Sequence, residues 1–489
     1  MNVDNHIPPI SFNSFHAAPM MPVPHSTSPP VLGKIEYLEL TMRNGRFQSL
    51  HIYLPPSYEK DNTRRFPVLY MHFGQHLFDP KHVGGDSWQL HRLIENLLTQ
   101  GLIEEFVLIG IDAMRATAGT DQYHYVNLNE DEACQGTDYE SMILDELIPY
   151  IDDRYRVLKA THSRAMIGAC ASATFTYNLA ARHPEIFGKV GLLSPVCRSL
   201  FHERWTLGEI GLDQNTLCWI DVGSGEGPFV DFSQELVDKM LADGFRPGKN
   251  MFYLIEPDGF HSDSSWGSRM VHPLLLFFGS LGKPNHLRIL GRDRVGTNGT
   301  PLILNTILEY ETGFHTTLLD VDYKAELAGV VHIERQGRVF GESEGKTILH
   351  AQAYGLKQSH EIRVIHDLPN QVSITIHVKV IADKPEYANI YLDMLALKRT
   401  GQGCYMGTFR LKRGFSLLAK FSYDVRKFEQ RLDGTPAPLR HVFADDDKTL
   451  EFVVERWPDP PALPTPARSV SQKDTRKPVI SGGTDTDAP

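Results

Sequence analysis

Between residues 66 and 255 the chain repeats one unit: a short, unbroken apolar run followed by a longer stretch of helical period. The apolar runs are 66–72, 106–111, 164–167, 189–193, 217–222 and 251–255, and none of them alternates with polar residues. A strand wet on one face alternates, whereas a strand covered on both faces reads as continuously apolar. Helices expected at 88–98, 141–151, 171–182 and 231–241 supply the cover, so the pattern predicts a mostly parallel sheet between helical layers. Two alternating segments precede it, 35–40 and 50–54, the second closed by Pro55-Pro56, and they read as an opening antiparallel hairpin.

The remaining chain is different in kind. After Lys283-Pro284 helical periodicity stops, and short strands are expected at 302–308, 315–321, 330–334, 347–353, 361–365, 372–381, 405–409 and 450–454, separated by turn residues at sandwich-like spacing. Leu368-Pro369-Asn370 is the internal boundary. The expected organisation is a disordered segment at 1–30, an α/β domain at 31–283, β-sandwiches at 284–368 and 369–458, and a disordered tail at 459–489. Both ends are rich in Pro, Ser or Thr and lack periodicity. A net charge of −11 argues against nucleic acid or an anionic membrane as partner. No apolar run reaches the roughly 20 residues that cross a bilayer, and the N-terminus lacks a signal-peptide pattern. A soluble, cytoplasmic protein is expected. The five cysteines lack C-x-x-C spacing, which suits reduced thiols, four of them packing residues.

The chemistry centres on Gly168-Ala-Cys-Ala-Ser172, placed where a strand turns into a helix. A G-x-S-x-G turn of this kind holds a nucleophile exposed above the sheet. Here the atom is sulfur, and Cys170 is either a working thiolate or the remnant of a nucleophile. Acyl transfer on such a scaffold needs a later acid and then a histidine. Glu226 follows the strand 217–222 and His261 follows 251–255, with Asp231 as the alternative acid or a helix cap. Donors for a developing oxyanion are expected from the backbone of Ala171 and of the loop at Gly74-Gln75. His72 and His76 lack the zinc-binding H-E-x-x-H pattern and are expected to be structural. Pro228 replaces the third glycine of a dinucleotide loop, so neither metal nor cofactor is expected.

The segments 66–80, 146–156, 182–188, Leu193-Ser-Pro195 and 259–266 together resemble the esterases of the enterochelin-esterase and esterase-D-like group of α/β hydrolases. The resemblance implies an α/β-hydrolase fold followed by two small all-β sandwich domains, and a carboxylic-ester or thioester hydrolase of a small-molecule substrate. Cys170, Glu226 and His261 stand at the triad positions. The chain departs from the family at the turn itself. Ser172 and Ala173 replace glycines, and the Ser172 Cβ is expected to disturb the tight approach of helix and strand. A catalytically impaired binding scaffold and an acyltransferase are the alternatives. Residues 329–351 resemble a bacterial Ig-like repeat, and segments between 408 and 457 are similar to starch-binding sandwiches, with a protein or a glycan as the partner to consider.

Overall fold

The computed structural model describes residues 33–78, 87–113, 123, 135–197, 206–208, 210–381, 387–424 and 427–458. The disordered segments expected at 1–30 and 459–489 lie outside the described residues. An antiparallel hairpin, β1 (Lys34–Thr41) and β2 (Phe47–Leu54), opens the fold and is followed by β3 (Val68–His72), α1 (Leu90–Thr99) and β4 (Val107–Ile111). Next come α2 (Gly136–Met142) and α3 (Ile148–Arg154), joined by a π-helical turn, then β5 (Arg164–Ala169), α4 (Ala171–Arg182) and β6 (Lys189–Leu193). The layer closes with β7 (Leu217–Gly223), α5 (Phe229–Ala242), β8 (Met251–Glu256), α6 (Asp263–Arg269) and α7 (Val271–Phe278). These strands form one eight-stranded sheet, ordered β1-β2-β4-β3-β5-β6-β7-β8, in which β4 through β8 pair in parallel.

The unbroken apolar strands follow from burial on both faces. In β3, Val68 and Tyr70 join one core while Leu69 and Met71 join the other. In β7, Cys218, Ile220 and Val222 face the first core and Trp219 the second. The first core is covered by α2 to α5 and the second by α1 and α7. Both faces therefore contribute apolar burial, roughly 25 cal/mol per Å², and the parallel strands β3 to β8 have no wet side on which polar residues could alternate.

Beyond α7 the described chain is β-rich, and it divides unevenly. One compact unit takes residues up to 375 and, in addition, 408–419 and 439–449; the other takes 376–407, 420–438 and the chain from 450. In the first unit, Pro284–Leu290, Asn305–Tyr310 and His315–Thr317 make a three-stranded sheet. A four-stranded sheet is built around the long hairpin Gly345–Ala353 and Leu356–Ile365. The strand expected across 302–308 is broken at Leu304, whose N–H bonds the Gly337 carbonyl instead. In the second unit, Asn389–Leu392 and Leu395–Gly401 pair antiparallel. Its Trp457 is 2% exposed, with Tyr423 edge-on at 5.3 Å, so that indole presents no open stacking face.

Three expectations about local structure need correction. The helix expected at 141–151 begins at Gly136, and α5 begins at Phe229, capped by Pro228, so Asp231 lies in its first turn and is not a cap. Pro228 starts that helix early because proline's fixed φ suits a helix entry. Of the four cysteines expected to pack, Cys197 and Cys218 are buried, but Cys404 is exposed and Cys134 lies outside the described residues.

Candidate active site

Cys170 joins β5 to α4 with φ 55° and ψ −126°, a conformation that L-residues avoid. Gly168 makes the turn sterically possible. A Cβ there would stand 2.3 Å from the Ser172 carbonyl oxygen, so helix and strand can approach only over a glycine. Ser172 does not disturb the turn as expected. Its side chain is fully buried, and Oγ accepts from Ala169 N–H at 3.0 Å and donates to the Ala169 carbonyl at 2.8 Å. The hydroxyl thus ties the last strand residue to the first helical turn, and the Cβ is accommodated along with it.

His261, in the loop after β8, engages Glu226 directly: its Nδ1 donates to Glu226 Oε2 at 2.8 Å, and the ring interacts electrostatically with the Cys170 side chain. The ring is packed by Phe229 at 4.3 Å and by Trp266, edge-on, at 4.7 Å. Burial alone would lower the His261 pKa, but Cys170 and the Glu226 carboxylate override it and push the imidazole up to about 10. Asp231 is elsewhere, its carboxylate 2.7 Å from Lys412 Nζ in an exposed ion pair.

Glu226 is the most heavily supported side chain of the site. Its second oxygen, Oε1, accepts from Gly223 N–H at 2.7 Å, Arg269 Nη1 at 2.7 Å and Ser194 Oγ at 2.9 Å. Arg269 also contacts Asp221 through Nε at 3.0 Å, and Asp221 accepts from Trp219 Nε1 at 2.7 Å. Ser194 accepts in turn from Arg269 Nη2 at 2.8 Å and Trp266 Nε1 at 3.0 Å. All of Asp221, Glu226, Ser194 and Arg269 are at most 1% exposed. Burial works against ionised Glu226, but Arg269 and His261 outweigh it and hold its carboxyl at about 2. Burial wins at Asp221, which is raised to about 6 despite Arg269.

The helix-initial N–H of Ala171 sits beside Cys170 and, like the first donors of any helix, has no partner within the helix. Gln75 belongs to a short 3-10 turn after β3 that follows left-handed Phe73, and its side-chain oxygen accepts from Ala113 N–H at 3.2 Å. His72 Nδ1 pairs with the Tyr139 hydroxyl at 2.9 Å and burial depresses it to about 3; His76 Nδ1 pairs with Asp263 at 2.8 Å. Both serve as packing groups.

Among the described residues one trio could be mistaken for a metal centre, Glu256, His272 and His315, whose ligand atoms lie within 4.8 Å of one another. His272 Nδ1 accepts from the His315 backbone N–H at 3.1 Å. The neutral ring must then carry its proton on Nε2, the nitrogen that faces Glu256 at 3.8 Å, leaving no lone pair there for a cation.

Of the expected residues, the structure joins His261 to Glu226 by a hydrogen bond; Ser194, Asp221 and Arg269, which surround that pair, were not expected.

No described helix is long and apolar enough to cross a membrane. The chain is 30% identical over 146 residues to the uncharacterized protein YbbA of Bacillus subtilis, covering 29% of this chain and 54% of that one. It is 27% identical over 209 residues to an endo-1,4-beta-xylanase/feruloyl esterase of Xylanibacter ruminicola, covering 41% of this chain and 26% of that one. It thus spans about half the length of the first relative and a quarter of the second. A solved ferulic acid esterase superimposes with TM-score 0.42 at 18% identity, over 50% of this chain and 98% of that one. Residues 43–271, which carry Cys170, Glu226 and His261, match the family model described as "Putative esterase".

Proposed function

We propose that the α/β region, residues 31–283, hydrolyses a carboxylic ester or thioester of a small molecule through Cys170, His261 and Glu226. The observation that carries the proposal is the His261 Nδ1–Glu226 hydrogen bond together with Cys170, which stands on a strained strand-to-helix turn and couples electrostatically to the same imidazole. The esterase family match over this region and the feruloyl esterase relative support the substrate class.

His261 takes the thiol proton of Cys170, leaving a thiolate beside an imidazolium. The thiolate attacks the carbonyl carbon, and the oxyanion takes hydrogen bonds from the backbone N–H groups of Ala171 and Gln75. Collapse expels the alcohol or thiol, which receives the imidazolium proton, and leaves a thioester on Cys170. His261 then removes a proton from water, whose hydroxide attacks the acyl carbon; the acid leaves and Cys170 regains its thiolate. Glu226 keeps the imidazole oriented and balances its charge throughout.

The β-rich remainder we read as an Ig-like sandwich at 284–368 and a starch-binding-like sandwich at 369–458. The buried Trp457 favours a structural or protein-binding role over a sugar platform.

The test compares wild type, Cys170→Ala and Cys170→Ser on short-chain aryl esters and thioesters. Thiol alkylation is followed in parallel in a Cys134→Ser/Cys404→Ser background, which removes the exposed Cys404. Hydrolysis that disappears in Cys170→Ala, with one rapidly alkylated site in the background protein, is the expected result. Equal rates in all three proteins would remove Cys170 from the chemistry.

A further inference from the structure

The loop that carries Glu226 is not held by the α/β layer alone. On one side it is fastened to the loop after β8, through Ser224 N–H on the Glu256 carbonyl at 2.8 Å and Gly225 N–H on the Gly259 carbonyl at 2.9 Å. On the other side it meets a strand nearly 200 residues further along the chain, Phe415–Ala419. Gly227 N–H donates to the Ser416 carbonyl at 2.9 Å, Leu418 N–H donates to the Gly225 carbonyl at 2.8 Å, and Glu226 faces Leu417 as an antiparallel bridge. That strand pairs along its whole length with Arg440–Ala444, and both segments belong to the same compact unit as the α/β layer. Leu417 is 1% exposed, and Gly225 is overlaid so closely by Leu418 that an added Cβ would stand 2.6 to 2.9 Å from that side chain. A backbone bridged on both edges has little freedom, and the residue at its centre is the one whose carboxylate orients His261.

We infer that the late strand Phe415–Ala419 is a positioning element for Glu226: it clamps the acid's loop by main-chain pairing and so sets the direction in which the carboxylate meets His261. The inference rests on the reading of Glu226 as the orienting acid. Leu418 is a positioning residue in this sense, acting through the main chain of Gly225. The α/β region then depends on the β-rich part of its own chain for the geometry of its acid, although the matching esterase region ends at residue 271.

The test uses the full chain. Gly225→Ala puts a methyl against Leu418 at a position whose backbone conformation other residues adopt, so the strand is pushed away with the fold otherwise intact. Adding Leu418→Gly removes every atom that methyl would meet most closely. Two readouts are taken: kcat and KM on an aryl ester, and the downfield proton resonance of His261 Nδ1 in histidine-labelled protein, which reports the His261–Glu226 hydrogen bond without turnover. In Gly225→Ala, kcat falls about tenfold with KM unchanged and the resonance weakens or moves upfield; the double variant recovers both to within about twofold. An unchanged resonance in Gly225→Ala, or loss without recovery in the double variant, overturns the clamp. A wild-type protein that shows the resonance but no hydrolysis would sink the hydrolase reading, while the resonance alone would still decide the clamp.

Discussion

Arg269→Met tests the buried charge network most directly. Arg269 is the cation between two fully buried carboxylates, Asp221 and Glu226. The Glu226 carboxyl is held at about 2 against an ordinary 4.5, a depressed value, so its ionisation stabilises the folded state above about pH 4.5 and that contribution is lost as pH falls toward 2. The difference of about 2.5 units corresponds to about 3 kcal/mol at neutral pH. Without Arg269, burial is opposed mainly by His261, and the contribution shrinks or reverses. Asp221, already raised to about 6, would be still harder to ionise. Removing one partner of a buried ion pair costs roughly 3–5 kcal/mol in general, in line with this figure. Urea unfolding followed by tryptophan fluorescence suits the measurement, since Trp88, Trp205, Trp219 and Trp266 lie in the α/β region and only Trp457 outside it. The expected result is a loss of about 3–5 kcal/mol at pH 7 that narrows to about 1–2 kcal/mol near pH 3, where the variant's carboxyls are protonated at little cost. A loss under about 1 kcal/mol at pH 7, or one equal at both pH values, would refute the reasoning.

Two further outcomes follow from the same geometry. With His261 raised to about 10, the imidazolium that protonates the leaving group persists through neutrality, so kcat/KM on an aryl ester should not decline until pH approaches 10; a descending limb near pH 7 would contradict the thiolate–imidazolium pair. Ser172→Gly, which restores the glycine of the resembling family, should lower the melting temperature by several degrees, because it deletes both hydrogen bonds to Ala169 and loosens the first turn of α4 at a cost of about 1–3 kcal/mol. An unchanged melting temperature would show that the hydroxyl contributes nothing.

The sequence revealed the elements whose pattern is imposed locally. Strands buried on both faces are dominated by apolar residues, so 66–255 was readable run by run, and α4 appeared with its exact bounds because His183-Pro184 ends it and the turn at Cys170 begins it. The start of α2 was hidden because Gly136, Thr137 and Asp138 are weak helix formers and the helix is held by the burial of Tyr139 and Met142. At the candidate site, the order along the chain pointed to Glu226 and His261, which pair in the structure. Arg269 was not legible, because it meets Glu226 across 43 residues and Ser194 across 75, and no spacing rule connects them. The strand Phe415–Ala419 was missed for a related reason: five residues without clear alternation gain their meaning only from the loop they pair with.

The division of the chain also bears on the order in which the protein can be made. Residues 408–419 and 439–449 belong to the unit that contains the α/β layer. At about 5–20 residues per second, a ribosome that has finished α7 needs roughly 10–30 s more to reach residue 449. For that interval the nascent sheet has all eight of its strands, but the Glu226 loop lacks one of its two edges, so the site is completed well after the layer that bears it.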